Sequence, residues 1–498
     1  FAGTNVHTVL VPGNIRTIGA NAFSGCDTLE TVRMLSGVRT ISANAFYGAA
    51  GLTEVELPNT VTSIGANAFY GCSSLTEVVV PNSVTSIGHS AFQGCNSIVK
   101  MTLPFVGESR TSTGTAGRFG YIFGYTSTLT SGTINQGGYY YYIPSTLREI
   151  EITGATALSS YAFQNCDMLT SIALNEGITS ISTYAFYNCD GLTEMIIPES
   201  VTSIGTYAFA SSVNLAKVTL PSGLTEISNY MFQSCPLLAS VNGNGEVIIG
   251  ANVTSIGTSA FSGCTSISKV TLPNGLAEIG SSAFSGATSL TQINIPASVT
   301  EIGSSAFSGC VNLVRVNSET DGKVILQEGL TSIGSYAFRD LSKITEVVVP
   351  DSVTSIGQGA FQGCNSLVKM TLPFVGESRS TTSSTPRTTS SSWSGGSRYL
   401  FGYIFGGECS YISSAPTSGN GLIYQGEGAY SSHYYNRYYI PSGLREIVIT
   451  DATGISANAF YNCTMLTSVT LNEGITAVNR YAFYNCANIA EIVIPSSV

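Results

Sequence analysis

Leu75-Thr76-Glu77-Val78-Val79-Val80-Pro81-Asn82-Ser83-Val84-Thr85-Ser86-Ile87-Gly88-His89-Ser90-Ala91-Phe92-Gln93-Gly94-Cys95 is one copy of a block that recurs about every 23 residues. Its most regular letters are Ala-Phe, found again at Ala22-Phe23, Ala45-Phe46, Ala68-Phe69, Ala162-Phe163, Ala185-Phe186 and Ala208-Phe209. They return at Ala260-Phe261, Ala283-Phe284, Ala306-Phe307, Ala337-Phe338, Ala360-Phe361, Ala459-Phe460 and Ala482-Phe483, with Met231-Phe232 as a variant. A period of this length predicts a solenoid, because one block cannot bury its own apolar face and stacked neighbours supply the core.

Within the copy, Leu75-x-x-Val78-x-Val80 alternates apolar with other residues and is rich in β-branched side chains, which predicts a short strand. Pro81 lacks an N–H for the ladder and ends it. Val84 and Ile87 point back inward from a second short strand or extended turn. Gly88 is read as permitting a tight bend. The segment from Ser90 to Gly94 is too short for an α-helix and is read as a single helical turn. Counting such strand cores from Val6 to Ile489 gives eighteen.

This copy resembles the treponemal, or BspA-like, class of leucine-rich repeat, with its pattern L-x-x-V-x-I-P-x-x-V-T-S-I-G-x-x-A-F-x-x-C, and the resemblance covers nearly all of the chain outside two insertions. It implies an α/β repeat solenoid, a right-handed superhelix with one parallel strand per repeat of about 23 residues and short helical turns on the outer side. The whole of 1–498 is read as a single such solenoid, interrupted by one insertion at 104–144 and a longer, related one at 373–441.

Only 10% of the 498 residues are charged, and the net charge of −10 leaves no basic stripe to neutralise phosphates. That excludes a nucleic-acid partner. No apolar run reaches membrane-spanning length. The chain opens at Phe1 without a leader and stops inside a repeat at Val498, which predicts a piece of a longer exported protein whose anchor lies elsewhere. Of the twelve cysteines, eleven sit three residues after the repeat phenylalanine, in a slot that holds Ala49, Ser212 and Ala287 in other copies. A slot shared by Cys, Ala and Ser calls for a small buried side chain, so these are expected to be free core thiols and not a disulfide framework or metal site. Cys409 alone lies off the pattern.

Both long insertions open with Leu-Pro-Phe-Val-Gly-Glu-Ser-Arg, at Leu103 and Leu372. Both carry Phe-Gly-Tyr-Ile-Phe-Gly, at Phe119 and Phe401, and both close on Tyr-Ile-Pro-Ser. A unit of several repeats was therefore duplicated with its insertion. The second contains a Ser/Thr tract at 380–392 followed by the only tryptophan, Trp393. Aromatics cluster at Tyr139, Tyr140, Tyr141 and Tyr142, and at Tyr434, Tyr435, Tyr438 and Tyr439. Either these rings pack the insertions onto the solenoid flank, or they form a recognition surface, since tyrosine offers large rigid contact area at low entropic cost. Trimming 105–142 and 374–439 is expected to leave a folded solenoid. Two shorter breaks, at Asn242-Gly243-Asn244-Gly245 and Ser318-Glu319-Thr320-Asp321-Gly322, read as β-hairpin extensions.

The three histidines, His7, His89 and His433, have no second ligand at metal-binding spacing, and no phosphate-binding glycine loop or nucleophile elbow occurs. No cofactor and no enzymatic activity are expected. On the outward strand face, the acidic pair Glu54 and Glu77 could serve a glycosidase, but the row containing it mixes signs and reads as a solvated surface. Val79, Ile196 and Val348 would be exposed apolar groups on that face and are candidate contacts. The family resemblance implies a secreted or cell-surface recognition protein, an adhesin that engages host matrix proteins, cell-surface proteins or other cells. The open alternatives are an architectural surface-layer or spacer protein without a ligand, and a protein that binds or acts on glycans.

Overall fold

The computed structural model describes residues 1–379, 398–411, 423–425 and 434–498, with the side chains of 408–411, 424 and 434–436 outside that description. The chain divides into two compact units, Phe1–Asn242 and Gly243–Val498. Each is a parallel-strand solenoid, and together they make about 18 turns.

In the first unit, Thr8–Val11 pairs in parallel with Thr31–Met34, which pairs with Glu54–Glu56, every partner 23 residues on. The ladder of Glu77–Val79, Lys100–Leu103, Glu149–Ile152 and Ser171–Ala173 follows. A third, built by Glu194–Ile196, Lys217–Thr219 and Ser240–Val241, completes the row. The second short strand expected around Val84 and Ile87 is present as Ser86–Ile87, and it pairs with the same segment of its neighbour. In the second unit, parallel strands run from Val247–Ile248 through Lys269–Thr271 and Lys323–Ile325 to Ser468–Thr470.

In the described regular rungs the expected helical turns on the outer side are not formed, and the hydrogen bonds say why. The N–H groups of Asn21, Phe23 and Gly25 donate to Ala43, Ala45 and Tyr47 of the next rung. Those of Ala22, Ser24 and Cys26 donate three residues back within their own turn. Every second donor is thus committed to a neighbouring rung, and no i→i−4 helix can form. Two residues per turn, such as Asn21 (φ 56) and Gly25 (φ 67), take the left-handed conformation that keeps this chain of turns flat. Gly88 also departs from expectation: its backbone is ordinary, but a Cβ there would lie 2.3 Å from the Ala66 nitrogen of the preceding rung. Close approach between rungs, not a bend, demands the glycine.

The repeat phenylalanines form a buried column. Phe23, Phe46, Phe69 and Phe92 stack nearly parallel with centroids 5.2–5.3 Å apart, as do Phe163, Phe186, Phe209 and Phe232 at 5.3–5.5 Å. Beside it runs the cysteine row, free at all eleven repeat positions and buried at all but the half-exposed Cys486. The slot asks for more than small size. The thiols of Cys72, Cys95, Cys189 and Cys310 donate to the carbonyl of the phenylalanine one rung back, at 3.1–3.2 Å. Ser212 makes the same bond to Phe186 at 3.1 Å. Burial pushes the thiol pKa of Cys95, Cys235 and Cys310 up to about 12, from an ordinary value of 9.0. A raised folded-state value stabilises the fold below the unfolded value and is lost as pH rises through the folded one. The denaturation midpoint should therefore fall between pH of about 9 and about 12, and a thiol reagent at neutral pH should label these cysteines only after denaturation. Rapid native labelling of most of them, with an alkaline-insensitive midpoint, would contradict this.

The insertions correct the sequence reading most. Lys100 pairs with Glu149, and Lys369 with Glu446, so the strand row resumes in register across each break. The outer turn does not skip a step: a 3-10 turn from the insertion, Phe119–Phe123, takes its place. The N–H of Phe92 donates to Ile122, and that of Phe119 to Ala162. Phe119 packs on Phe163 at 5.2 Å and carries the phenyl column onward. Gln136, fully buried, accepts from the Gly120 N–H at 3.0 Å and donates to the Ala162 carbonyl at 3.3 Å. The second insertion repeats the device with Phe401–Phe405 and Gln425. Residues expected to be dispensable are part of the core.

The short breaks are not hairpins either. Lys323–Ile325 runs parallel to Arg315–Val316, eight residues earlier (323 − 315), as an abbreviated extra rung. Val247–Ile248 likewise joins the parallel sheet of its own unit.

Candidate functional site

The outer turns of the first unit carry a column of a different kind. Tyr161, Tyr184, Tyr207 and Tyr230 occupy the slot just before Ala-Phe (Met-Phe in the last), and all have φ between 58 and 64. In other rungs this left-handed slot holds Asn21, Asn44, Asn67, Ser259 or Ser282, and a single tyrosine at Tyr336 and at Tyr481. Asparagine tolerates that conformation through local hydrogen bonding, whereas a bulky aromatic is unfavourable there. Four successive rungs carry the costlier residue.

What the rings gain is each other. Centroid spacings of 5.2, 4.8 and 4.4 Å, with interplanar angles of 4–7°, make one continuous half-exposed stack. Tyr187 adds an edge-to-face contact with Tyr184 at 5.3 Å. Burial and the neighbouring phenols raise the pKa of Tyr184 and Tyr207, so the hydroxyls remain neutral hydrogen-bonding groups. On the same turns stand Asn188, Ser211 and Gln233, uncharged side chains of the kind that adapt to a partner's polar groups, while Gln164 accepts from the Gly137 N–H and Asn165 donates to the Asn135 carbonyl of the insertion.

Arg118 joins the first insertion to this column. Its guanidinium lies 5.4 Å from the Tyr161 ring centroid and 5.5 Å from that of Tyr139, and its Nη1 donates to the Gln136 carbonyl at 2.7 Å. Tyr139 is exposed, while Tyr140 and Tyr142 are half-buried. Tyr141 is wholly buried: its hydroxyl donates to the Thr115 carbonyl at 3.4 Å and it belongs to the core. In the second insertion Tyr438 is buried and Tyr439 exposed. Trp393, and the side chains of Tyr434, Tyr435 and Cys409, lie outside the described residues.

On the strand face, Val79 is 51% and Ile196 68% exposed, whereas Val348 is half-buried. They do not join into a patch, since Val79 pairs with Thr102 and Ile196 with Thr219. The charged row is internally compensated. Lys100 reaches Glu77 at 4.0 Å and Glu149 at 3.9 Å, and Lys323–Glu346 and Lys369–Glu446 close at 2.8 Å. Among the described residues, no group of three or more His, Cys, Asp and Glu is placed to hold a metal ion, and no helix is long and apolar enough to cross a membrane.

The sequence reading missed the column because it treated the residue before Ala-Phe as variable. Four tyrosines in succession at a strict 23-residue spacing, at a position that other rungs fill mostly with Asn or Ser, were the available signal.

A family model described as the BspA type leucine rich repeat region matches residues 1–111, 132–249, 243–368, 322–385 and 433–498. Among solved structures, a leucine-rich repeat protein of Bacteroides ovatus is 22% identical with a TM-score of 0.45, covering 94% of this chain and 90% of its own. A leucine rich cell surface protein of Faecalibacterium prausnitzii is 23% identical with a TM-score of 0.30, covering 74% and 88%. No curated protein matches the chain.

Proposed function

The chain belongs to the BspA-type leucine-rich repeat family, and from that premise we propose that it is a non-enzymatic recognition protein of the bacterial cell surface, an adhesin whose partners are host matrix or cell-surface proteins. Family membership suggests a repeat-based protein-interaction role. The surface we assign to it is the tyrosine column of the first unit, extended by the exposed Tyr139, which the buried Arg118 ties to Tyr161.

The observation that carries this reading is conformational. Backbone strain retained where an easier residue would serve points to a use, and here four rungs keep tyrosine in a left-handed slot. The stack also holds its side chains in place before any partner arrives, which reduces the ordering cost of binding.

The same strain supplies the test. Tyr184→Asn with Tyr207→Asn should leave thermal stability unchanged or raise it, because asparagine suits the slot. Capture of immobilised extracellular-matrix proteins (fibronectin, laminin and collagen as probes) should fall at least about tenfold, as for loss of interfacial tyrosine anchors. Val79→Lys with Ile196→Lys should bind as the parent does. If the asparagine variant unfolds early yet binds normally, the column is a structural device. If the lysine variant alone loses binding, the strand face is the site.

A further inference from the structure

On the strand face of the second unit there is a depression of about 280 Å³, and it arises where the sheet is interrupted. Lys269 pairs with Gln292 and Val270 with Ile293, and there the pairing stops. Other strand pairs of this sheet run one residue further, as Ile325 does with Val348. On the next rung Asn317 (φ 50) departs from the ladder as well. Its side-chain Oδ1 accepts from the Ile295 N–H at 2.6 Å while its Nδ2 donates to the Ile325 carbonyl at 3.0 Å, so a side chain occupies the place of a ladder bond. Thr271 and Asn294 are left facing each other across a gap floored by Leu272 and Ile295.

We infer that this depression is a binding site for a single neutral sugar ring. Its rim is made of amides and a hydroxyl, Gln292, Asn294, Asn274 and Thr271, which donate and accept hydrogen bonds without carrying charge. The one cation, Lys269, is held by Glu246 at 2.6 Å, so an anionic ligand gains little there. The apolar floor suits the C–H face of a pyranose, whose hydroxyls would reach the rim. The volume lies just under the range of small-molecule sites, about 300–1,000 Å³, which matches one ring and not an oligosaccharide. The inference does not rest on the tyrosine column.

Saturation-transfer NMR on the intact chain tests it, with methyl β-D-glucopyranoside, methyl β-D-galactopyranoside and methyl N-acetyl-β-D-glucosaminide as probes. At least one glycoside should give a signal. Gln292→Ala and Asn294→Ala should each weaken its affinity by about tenfold, the loss of one or two hydrogen bonds. Thr271 is exposed, so Thr271→Trp should fill the depression without disturbing the core, and abolish the signal. The assignment is overturned if none of the three glycosides binds, or if the signal survives Thr271→Trp. A signal that survives there but is lost in the Tyr184→Asn, Tyr207→Asn variant would move sugar binding to the tyrosine column.

Discussion

Replacing residues 105–142 by a short linker is expected to abolish cooperative unfolding of the Phe1–Asn242 unit, not to leave a trimmed solenoid. Phe105, Val106, Phe119, Ile122, Phe123 and Tyr141 are all buried in that segment. Six such side chains, at about 1.5–3 kcal/mol each, are comparable with the whole margin of a domain, about 5–15 kcal/mol. The deletion also strips the partners of the Phe92 N–H and the Ala162 carbonyl and uncovers both ends of the phenyl column. Hydrogen exchange read by mass spectrometry provides the measurement, with amides of 75–103 and 148–173 losing protection. Gln136→Leu is a milder probe of the same joint. It keeps the bulk but leaves the buried Gly120 N–H without its side-chain acceptor, at a cost of about 1–3 kcal/mol, while the Ala162 carbonyl keeps the Phe119 N–H. Full protection in the deletion variant would show that the turn replacement is incidental.

The second large effect is expected at the centre of a phenyl column. Phe186 is wholly buried, between Phe163 at 5.5 Å and Phe209 at 5.3 Å. Phe186→Ala removes a ring that two others lie against, and such truncations cost about 3–5 kcal/mol. Since each rung contacts only its neighbours, the loss should be felt most at amides of 163–232 and fade beyond them. Phe186→Leu, which fills much of the same volume, should cost clearly less. A loss below about 1 kcal/mol for the alanine variant, within the range of surface substitutions and their immediate neighbours, would mean that the column can close over the gap and does not set local stability.

Much of this was legible without coordinates. The 23-residue period announced the stacked rungs, and the Leu-x-x-Val-x-Val alternation located the strands and their buried face. The third position after phenylalanine marked the thiols as core. The candidate site was legible only in part. Tyr139 and Tyr140 were singled out with Tyr141 as equals, yet Tyr141 packs against Gly120 and is buried, while Tyr139, two residues away on the same strand face, lies at the exposed end beside Arg118. The tyrosines at 161, 184, 207 and 230 went unremarked, since a lone tyrosine before Ala-Phe means nothing until the rung spacing brings four of them together.

A repeat fixes by itself whatever depends on one rung and its identical neighbour: strand position, inward face, the phenyl and thiol columns. Those contacts are made between equivalent residues, so the period alone specifies the partner. Tertiary structure decided what depends on unlike partners. Phe119–Phe123 replaces a missing turn, Gln136 satisfies the backbone groups around it, and Asn317 breaks a ladder with its side chain. The 23-residue spacing does not predict these, because each pairs a residue outside the repeat pattern with a backbone group that only the folded chain brings within hydrogen-bonding distance.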